Sequence, residues 1–233
     1  MTITYAGMAV WEPRWPSSMT AIQSILPQVE RLYLTLNGFH HIPPELDHPK
    51  IHCKCEPLNI GDIGKFAVVP IQADFDLYLS LDDDLHYPPG YVLNMTHHLH
   101  PKWDLVLTHH GTQLNNLQGS FVTIKNNNPK VRCTDQNTDL MPVDLPGTGC
   151  CAYPASLYRR MQAEMMQGRN CADMLVGKWC KDNDIAILAL PHKRDWIRHV
   201  DHNGPNIWDQ TTSGIELERT TKLFKQIWTA DPS

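Results

Sequence analysis

The sequence predicts an α/β fold, one domain around a central, mostly parallel sheet flanked by helices. Two observations carry this. Apolar segments of strand length alternate with segments of helical spacing along most of the chain. One of those strands also runs directly into three consecutive carboxylates, Asp82-Asp83-Asp84. The 233 residues amount to roughly 1.6 typical domain lengths. No repeat, low-complexity stretch or Pro/Gly-rich linker divides them, so residues 1–233 read as a single domain.

The elements follow in order. Residues 3–10 form an apolar strand, and the loop Trp11-Glu12-Pro13-Arg14-Trp15-Pro16 interrupts it with proline. Ser17 or Ser18 caps a helix to about residue 26, with Met19, Ile22, Ile25 and Leu26 at helical spacing before Pro27. Leu32, Leu34 and Leu36 alternate with Tyr33 and Thr35 in a strand that ends at the turn signal Asn37-Gly38. Residues 51–55 are a further short strand, and residues 60–69 read as a helix closed by Pro70. The strand 76–81 leads into the acidic triplet, and Pro88-Pro89 opens a helix to about residue 99. A strand at 104–108 precedes His109-His110-Gly111. Residues 121–124 and 130–132 read as short strands or hairpin arms around Asn126-Asn127-Asn128. Pro146-Gly147-Thr148-Gly149 is a tight loop with exposed backbone. Helices at 154–167 and 172–181, a buried strand at 185–190 and a final amphipathic helix at about 215–229 complete the chain.

Composition excludes several classes. Lys+Arg number 20 against 25 Asp+Glu, a net charge of −5, and the isoelectric point near 6.2 gives no general attraction to nucleic acid or anionic membrane. The N-terminus carries no basic, then apolar, signal-peptide pattern, and no apolar run reaches membrane-spanning length. These features lead to the expectation of a soluble cytoplasmic protein without a signal peptide or transmembrane segment. The seven cysteines form no C-x-x-C pair, which argues against a structural zinc site and for reduced thiols. Cys150-Cys151 read as packed thiols, because no ordered Cys–His pairing accompanies them.

The acidic triplet carries the chemistry. Adjacent carboxylates repel and raise one another's pKa unless a cation offsets them. In open α/β sheets ligands sit outside the carboxyl ends of the strands, where this triplet lies. In extended chain Asp82 and Asp84 project to one side and share an ion, while Asp83 turns elsewhere. Oxygen ligands favour Mg²⁺ or Mn²⁺ over zinc, and such ions work with substrate phosphates.

The segment from Tyr78 through Asp82-Asp83-Asp84 to Val92 resembles the metal-binding D-x-D segment of nucleotide-sugar-dependent glycosyltransferases of the GT-A fold. It is most similar to the small family-2-like enzymes of bacterial and viral surface-glycan synthesis. Further segments agree in order over about residues 3–208. Ala21 to Val29 and Leu34 to Gly38 resemble the family's first helix and second strand, and Gly61 to Phe66 the segment near the nucleotide. Gly147-Thr148-Gly149 with Tyr153 resembles the acceptor-side loop, and Cys171-Ala172-Asp173-Met174 stands where inverting members carry a carboxylate at a helix start.

The resemblance implies a Rossmann-like GT-A domain with a nucleotide-binding half over about 1–110 and an acceptor-binding half over about 111–210. It implies a metal-dependent, inverting hexosyl- or deoxyhexosyltransferase that uses a nucleoside-diphosphate sugar, with UDP favoured. The acceptor would be a glycan, lipid-linked or protein-linked. Asp82 and Asp84 would hold Mn²⁺ or Mg²⁺, and Asp173 would be the base for the acceptor hydroxyl. Arg14 and Lys65 would contact the nucleotide or its phosphates, Asp62 the base, and Asp83 the ribose or sugar hydroxyls. Asn37 is either a turn residue or a base contact. Related enzymes bring a late histidine to the ion, for which His192, His199 and His202 are available. The family's Arg before a tryptophan segment reads here Pro191-His192-Lys193-Arg194-Asp195-Trp196, so either His192 takes the metal or Arg194 the diphosphate. Trp208 would pack on the sugar or anchor the tail. Two other classes fit parts of the pattern. A sugar-nucleotide nucleotidyltransferase would carry a Gly-rich N-terminal loop, and residues 5–16 hold only Gly7. A catalytically inactive nucleotide- or carbohydrate-binding module would not need Asp82, Asp84 and Asp173 together.

Overall fold

The computed structural model describes residues 2–70, 72–201 and 214–229. Four parallel strands form the first half of the central sheet: β1 (Thr4–Trp11), β2 (Arg31–Asn37), β3 (Ile51–Glu56) and β4 (Leu77–Asp82). They lie in the order β3-β2-β1-β4. Antiparallel β11 (Cys150–Pro154) joins β4 to β6 (Leu105–Thr108). β12 (Ala186–Ala189) then runs parallel to β6, and β9 (Met141–Pro142) closes the edge. The chain winds outward from β1 in both directions, so the carboxyl ends of β1 and β4 flank a topological switch, where such sheets open a crevice.

Side-chain alternation along β4 supplies both faces of the sheet. Leu77, Leu79 and Leu81 pack with Ile22 and Ile25 of α1 (Ser18–Ile25) and Met95 of α2 (Tyr91–His98). Tyr78 faces the other side, where Phe66, Tyr153 and Tyr158 of α4 (Ala155–Met165) surround it. A third cluster joins α3 (Phe121–Asn127), α5 (Ala172–Asp182) and α6 (Gly214–Thr229) through Phe121, Met174, Phe224 and Trp228.

Two small sheets lie beside the crevice. β5 (Leu85–His86), after the acidic turn, pairs with β13 (Arg198–His199), and Val200 N–H donates to the Asp84 carbonyl at 2.7 Å. β7 (Gly111–Thr112) sits between β8 (Lys130–Val131) and β10 (Leu145–Pro146), just before the glycine loop.

Three expected elements differ. Residues 60–69 contain only a short 3-10 turn, Asp62–Phe66. Gly61 enters it at φ +82°, and Thr35 Oγ1 donates to the Gly64 carbonyl at 2.6 Å, which ties that turn to β2. Residues 121–124 belong to helix α3, not a strand; Ser120 Oγ accepts from the Thr123 N–H, and Phe121 and Ile124 fall on one buried face. The helix after Pro88-Pro89 begins at Tyr91, because Gly90 takes a left-handed conformation at φ +87°.

Candidate active site

The acidic triplet separates into two environments. Asp82 closes β4, while Asp83 and Asp84 form the turn before β5. Asp83 is buried: it accepts from Trp11 N–H and Ser18 Oγ, both at 3.0 Å, and pairs with Arg14 at 2.6 Å. Burial pushes its carboxyl up against the pull of Arg14. It therefore anchors the loop after β1 to the end of β4. Arg14, itself buried, also pairs with Asp84 at 2.7 Å.

Lys65 is buried beneath Asp82 and pairs with it. Burial works against the ammonium, yet Asp82 and then Asp62 hold its pKa above the ordinary lysine value. Burial likewise opposes ionisation of Asp82, but Lys65 keeps its pKa below the usual carboxylate range. The Lys65 backbone lies against β1 at Gly7, where a Cβ would overlap the Lys65 carbonyl and the Tyr78 hydroxyl. Gly7 is thus required for close approach of the segment that delivers Lys65.

The glycine loop brings Asp173 to this centre. Thr148 donates to Asp173 Oδ1 from its N–H at 2.8 Å and from its hydroxyl at 2.7 Å. Oδ2 lies 3.8 Å from Lys125 Nζ. Tyr87 hydroxyl accepts from Asp82 N–H and donates to the Gly149 carbonyl, each at 2.7 Å, which fixes the strand end to the loop. At Gly149 any side chain would run into the Asp82 carboxylate.

Around these groups the surface is concave in three adjoining lobes. The largest, about 690 Å³, holds Asp82, Asp84, Asp173, His110 and His199 together with the glycine loop. A second, about 210 Å³, holds Arg14, Asp62, Lys65 and, shared with the first, Asp82, Asp84 and Asp173. A third small lobe continues past Asp83 to Trp11, Asn37 and Asn59.

The fold therefore gathers Asp82, Asp84, Asp173, Arg14, Lys65 and the glycine loop. Other candidates have structural partners. Asp62 accepts from the Cys171 and Ala172 N–H groups at 3.1 and 3.0 Å and caps α5; burial raises its pKa to about 6. The Asn37 amide holds the 60–61 loop, donating to the Gly61 carbonyl and accepting from Ile60 N–H, both at 3.1 Å.

His192 is not in the cleft. It is buried, with Nδ1 and Nε2 at 2.9 and 3.1 Å from the carbonyls of Leu190 and Arg132. Arg194 is exposed and absent from the cleft lining. His199 instead reaches the lobe of Asp82 and Asp84, because β13 pairs with the strand that follows the acidic turn. His202 and Trp208 lie outside the described residues. Tyr153 is buried in the core with its hydroxyl 3.1 Å from Ser80 Oγ. Among the thiols, Cys133 lies in the cleft wall, its pKa lowered to about 5 by hydrogen bonding to Cys150 against the effect of burial, with His110 contributing.

The donor set suits a divalent ion in part. Five carboxylates, Asp62, Asp82, Asp83, Asp84 and Asp173, and five cations, Arg14, Lys65, Lys125, Lys130 and Arg132, line the lobes, so what suits a hard cation is the pair of oxygen donors Asp82 and Asp84 rather than any excess of negative charge. Among the described residues no three His, Cys, Asp or Glu side chains close on one point. Substrate oxygens would have to complete the shell.

No family profile matches this sequence, and no curated protein matches it. Solved structures do. The chain is similar to GalNAc-T7, crystallised with UDP, GalNAc and Mn²⁺, at a TM-score of 0.60 and 9% identity over 87% of this chain and 44% of that one. It is also similar to Staphylococcus aureus TarS 1–349 in complex with UDP-GlcNAc, at a TM-score of 0.55 and 11% identity over 100% of this chain and 68% of that one. This chain thus spans less than half the length of the first. These neighbours are GT-A glycosyltransferases, and the large, mostly parallel sheet flanked by helices is the GT-A fold.

Proposed function

We propose that this chain is a glycosyltransferase domain that moves a sugar from a nucleoside-diphosphate donor to a glycan or glycoconjugate acceptor with inversion. The observation that carries the reading is Asp173: one oxygen is fixed by Thr148, and the residue stands between the two largest lobes beside Asp82 and Asp84. The fold neighbours solved with UDP and with UDP-GlcNAc support UDP as the carrier.

The parts divide by lobe. Residues of about 1–110 supply the nucleotide side, with Asn37, Asn59 and Trp11 around the base and ribose and Arg14 and Lys65 toward the phosphates. Asp82 and Asp84 would hold Mn²⁺ or Mg²⁺ together with substrate oxygens, and His199 lines the same lobe. That ion, when bound, offsets charge on the leaving diphosphate. Asp173 takes the acceptor hydroxyl proton on Oδ2 as the acceptor oxygen bonds to the anomeric carbon and the carbon–oxygen bond to diphosphate breaks. Lys65 pairs with Asp82 and reaches within 3.4 Å of the Thr148 hydroxyl, so it links the carboxylate to the loop that orients Asp173.

Thermal melting with UDP or GDP tests this, with and without Mn²⁺. At a nucleotide concentration about a hundredfold above Kd the gain is about 2.7 kcal/mol, or roughly 5–10 °C for a chain of this size. A shift that requires the ion supports the reading, and no shift with any nucleoside diphosphate contradicts it.

A further inference from the structure

The largest lobe carries both signs: Asp82, Asp84 and Asp173 line it, and so does a basic wall of Lys125 of α3, Lys130 of β8 and Arg132 just after β8. Lys125 spends part of its charge on Asp173 at 3.8 Å. Lys130 and Arg132 have no carboxylate partner among the described residues. Among the described residues Lys130 Nζ donates to Asn126 Oδ1 at 2.9 Å and the Lys125 carbonyl at 3.3 Å. Burial, and then the charges of Arg132 and Lys125, push the Lys130 pKa below its ordinary value. Folding has therefore brought three like charges together in a chain of net charge −5, a cost that a bound anion removes.

The position of this wall selects the anion. Arg14, Lys65 and Asn37 belong to the second and third lobes, whereas Lys130 and Arg132 line only the first. Asp173 stands at the border between them. Resting on the glycosyltransferase reading above, a donor over Asp82 and Asp84 with its nucleotide toward Asn37 leaves the part of the first lobe lined by Lys130 and Arg132 to the acceptor. We propose that the acceptor is an anionic glycan, with a phosphate or carboxylate held by Lys130 and Arg132 while its hydroxyl meets Asp173. Arginine suits either group because its planar fork matches both.

Binding of immobilised oligosaccharides tests this without donor or turnover. The panel pairs neutral oligosaccharides with phosphorylated and with uronate-bearing counterparts, and the two charged arms distinguish the anion. The full chain is expected to bind charged members of one arm on the order of tenfold tighter than neutral ones, with affinity falling as salt rises. Lys130→Ala/Arg132→Ala is expected to bring that ratio near one. Arg132 is exposed and Lys130 half-buried, and a melting curve confirms that the variant folds. No preference for charged glycans, or a preference that survives in the variant, overturns the proposal. So does a loss of UDP affinity in the variant, which would assign the wall to the donor. Failure of the glycosyltransferase reading looks different: wild type then shows no ion-dependent nucleotide binding, whatever the glycan panel gives.

Discussion

Asp173 and His109 show how burial and partners decide the role of a single side chain. Thr148 occupies one oxygen of Asp173 with two hydrogen bonds, which orients the carboxylate; in the proposed function Oδ2 takes the acceptor proton. Asp173→Asn keeps the shape but cannot take that proton. Transfer is expected to fall by about 10²–10⁴, with UDP affinity retained, in paired assays of UDP release and calorimetric binding. His109 is wholly buried against Tyr91, Trp196 and His192, and burial, then His192, lowers its pKa to about 3. It is neutral when folded and takes a proton near pH 6.5 when unfolded. Its contribution is therefore complete above pH 6.5 and is lost as pH falls from there toward 3, on the order of a few kcal/mol. Urea unfolding between pH 7 and 4 should show a steeper loss in wild type than in His109→Gln, and equal slopes would contradict this. The Asp173 reading came from the family resemblance, whereas the burial of His109 could not be read from sequence alone. His109 and His110 are adjacent, yet one is core and the other lines the cleft, because successive side chains leave a strand end on opposite sides.

At the scale of elements, the strand that ends in carboxylates and the glycine loop were legible because each breaks a local rule. Apolar runs do not ordinarily close on three acids, and Gly147-Thr148-Gly149 exposes backbone that needs a tertiary partner. Which late histidine reaches the cleft was not legible. Choosing between His192 and His199 depends on the pairing of β13 with β5 and on two carbonyls that occupy the His192 ring, both long-range facts. The wall of Lys125, Lys130 and Arg132 was hidden for a similar reason: residues 121–124 read as strand, and the Ser120 cap that makes them helical competes with a β-prone Phe-Val pair. Close approach of the Asp62–Phe66 turn to β1 yields a direct test. Gly7→Ala inserts a methyl between β1 and the Lys65 carbonyl, so it should cost about 1–3 kcal/mol. Chemical denaturation checks this, and unchanged stability would mean that the turn does not rest on the strand.

For the whole molecule, the alternation of strands and helices led to the correct α/β class, and the ordered motifs led to the GT-A fold that structural similarity supports at 9–11% identity. The sheet order explains why the motifs converge. Arg14 follows β1, Asp82 ends β4, and the two strands are neighbours with Ala9 opposite Asp82. The reversed strand β11 then returns the glycine loop to the same crevice. No described helix is long and apolar enough to span a membrane. The most direct test is release of nucleoside diphosphate from a panel of UDP- and GDP-sugars, with Mn²⁺ and mixed glycan acceptors. Release from one donor that stops when the ion is chelated and in Asp173→Asn is the predicted result; no release from any donor would contradict the glycosyltransferase assignment.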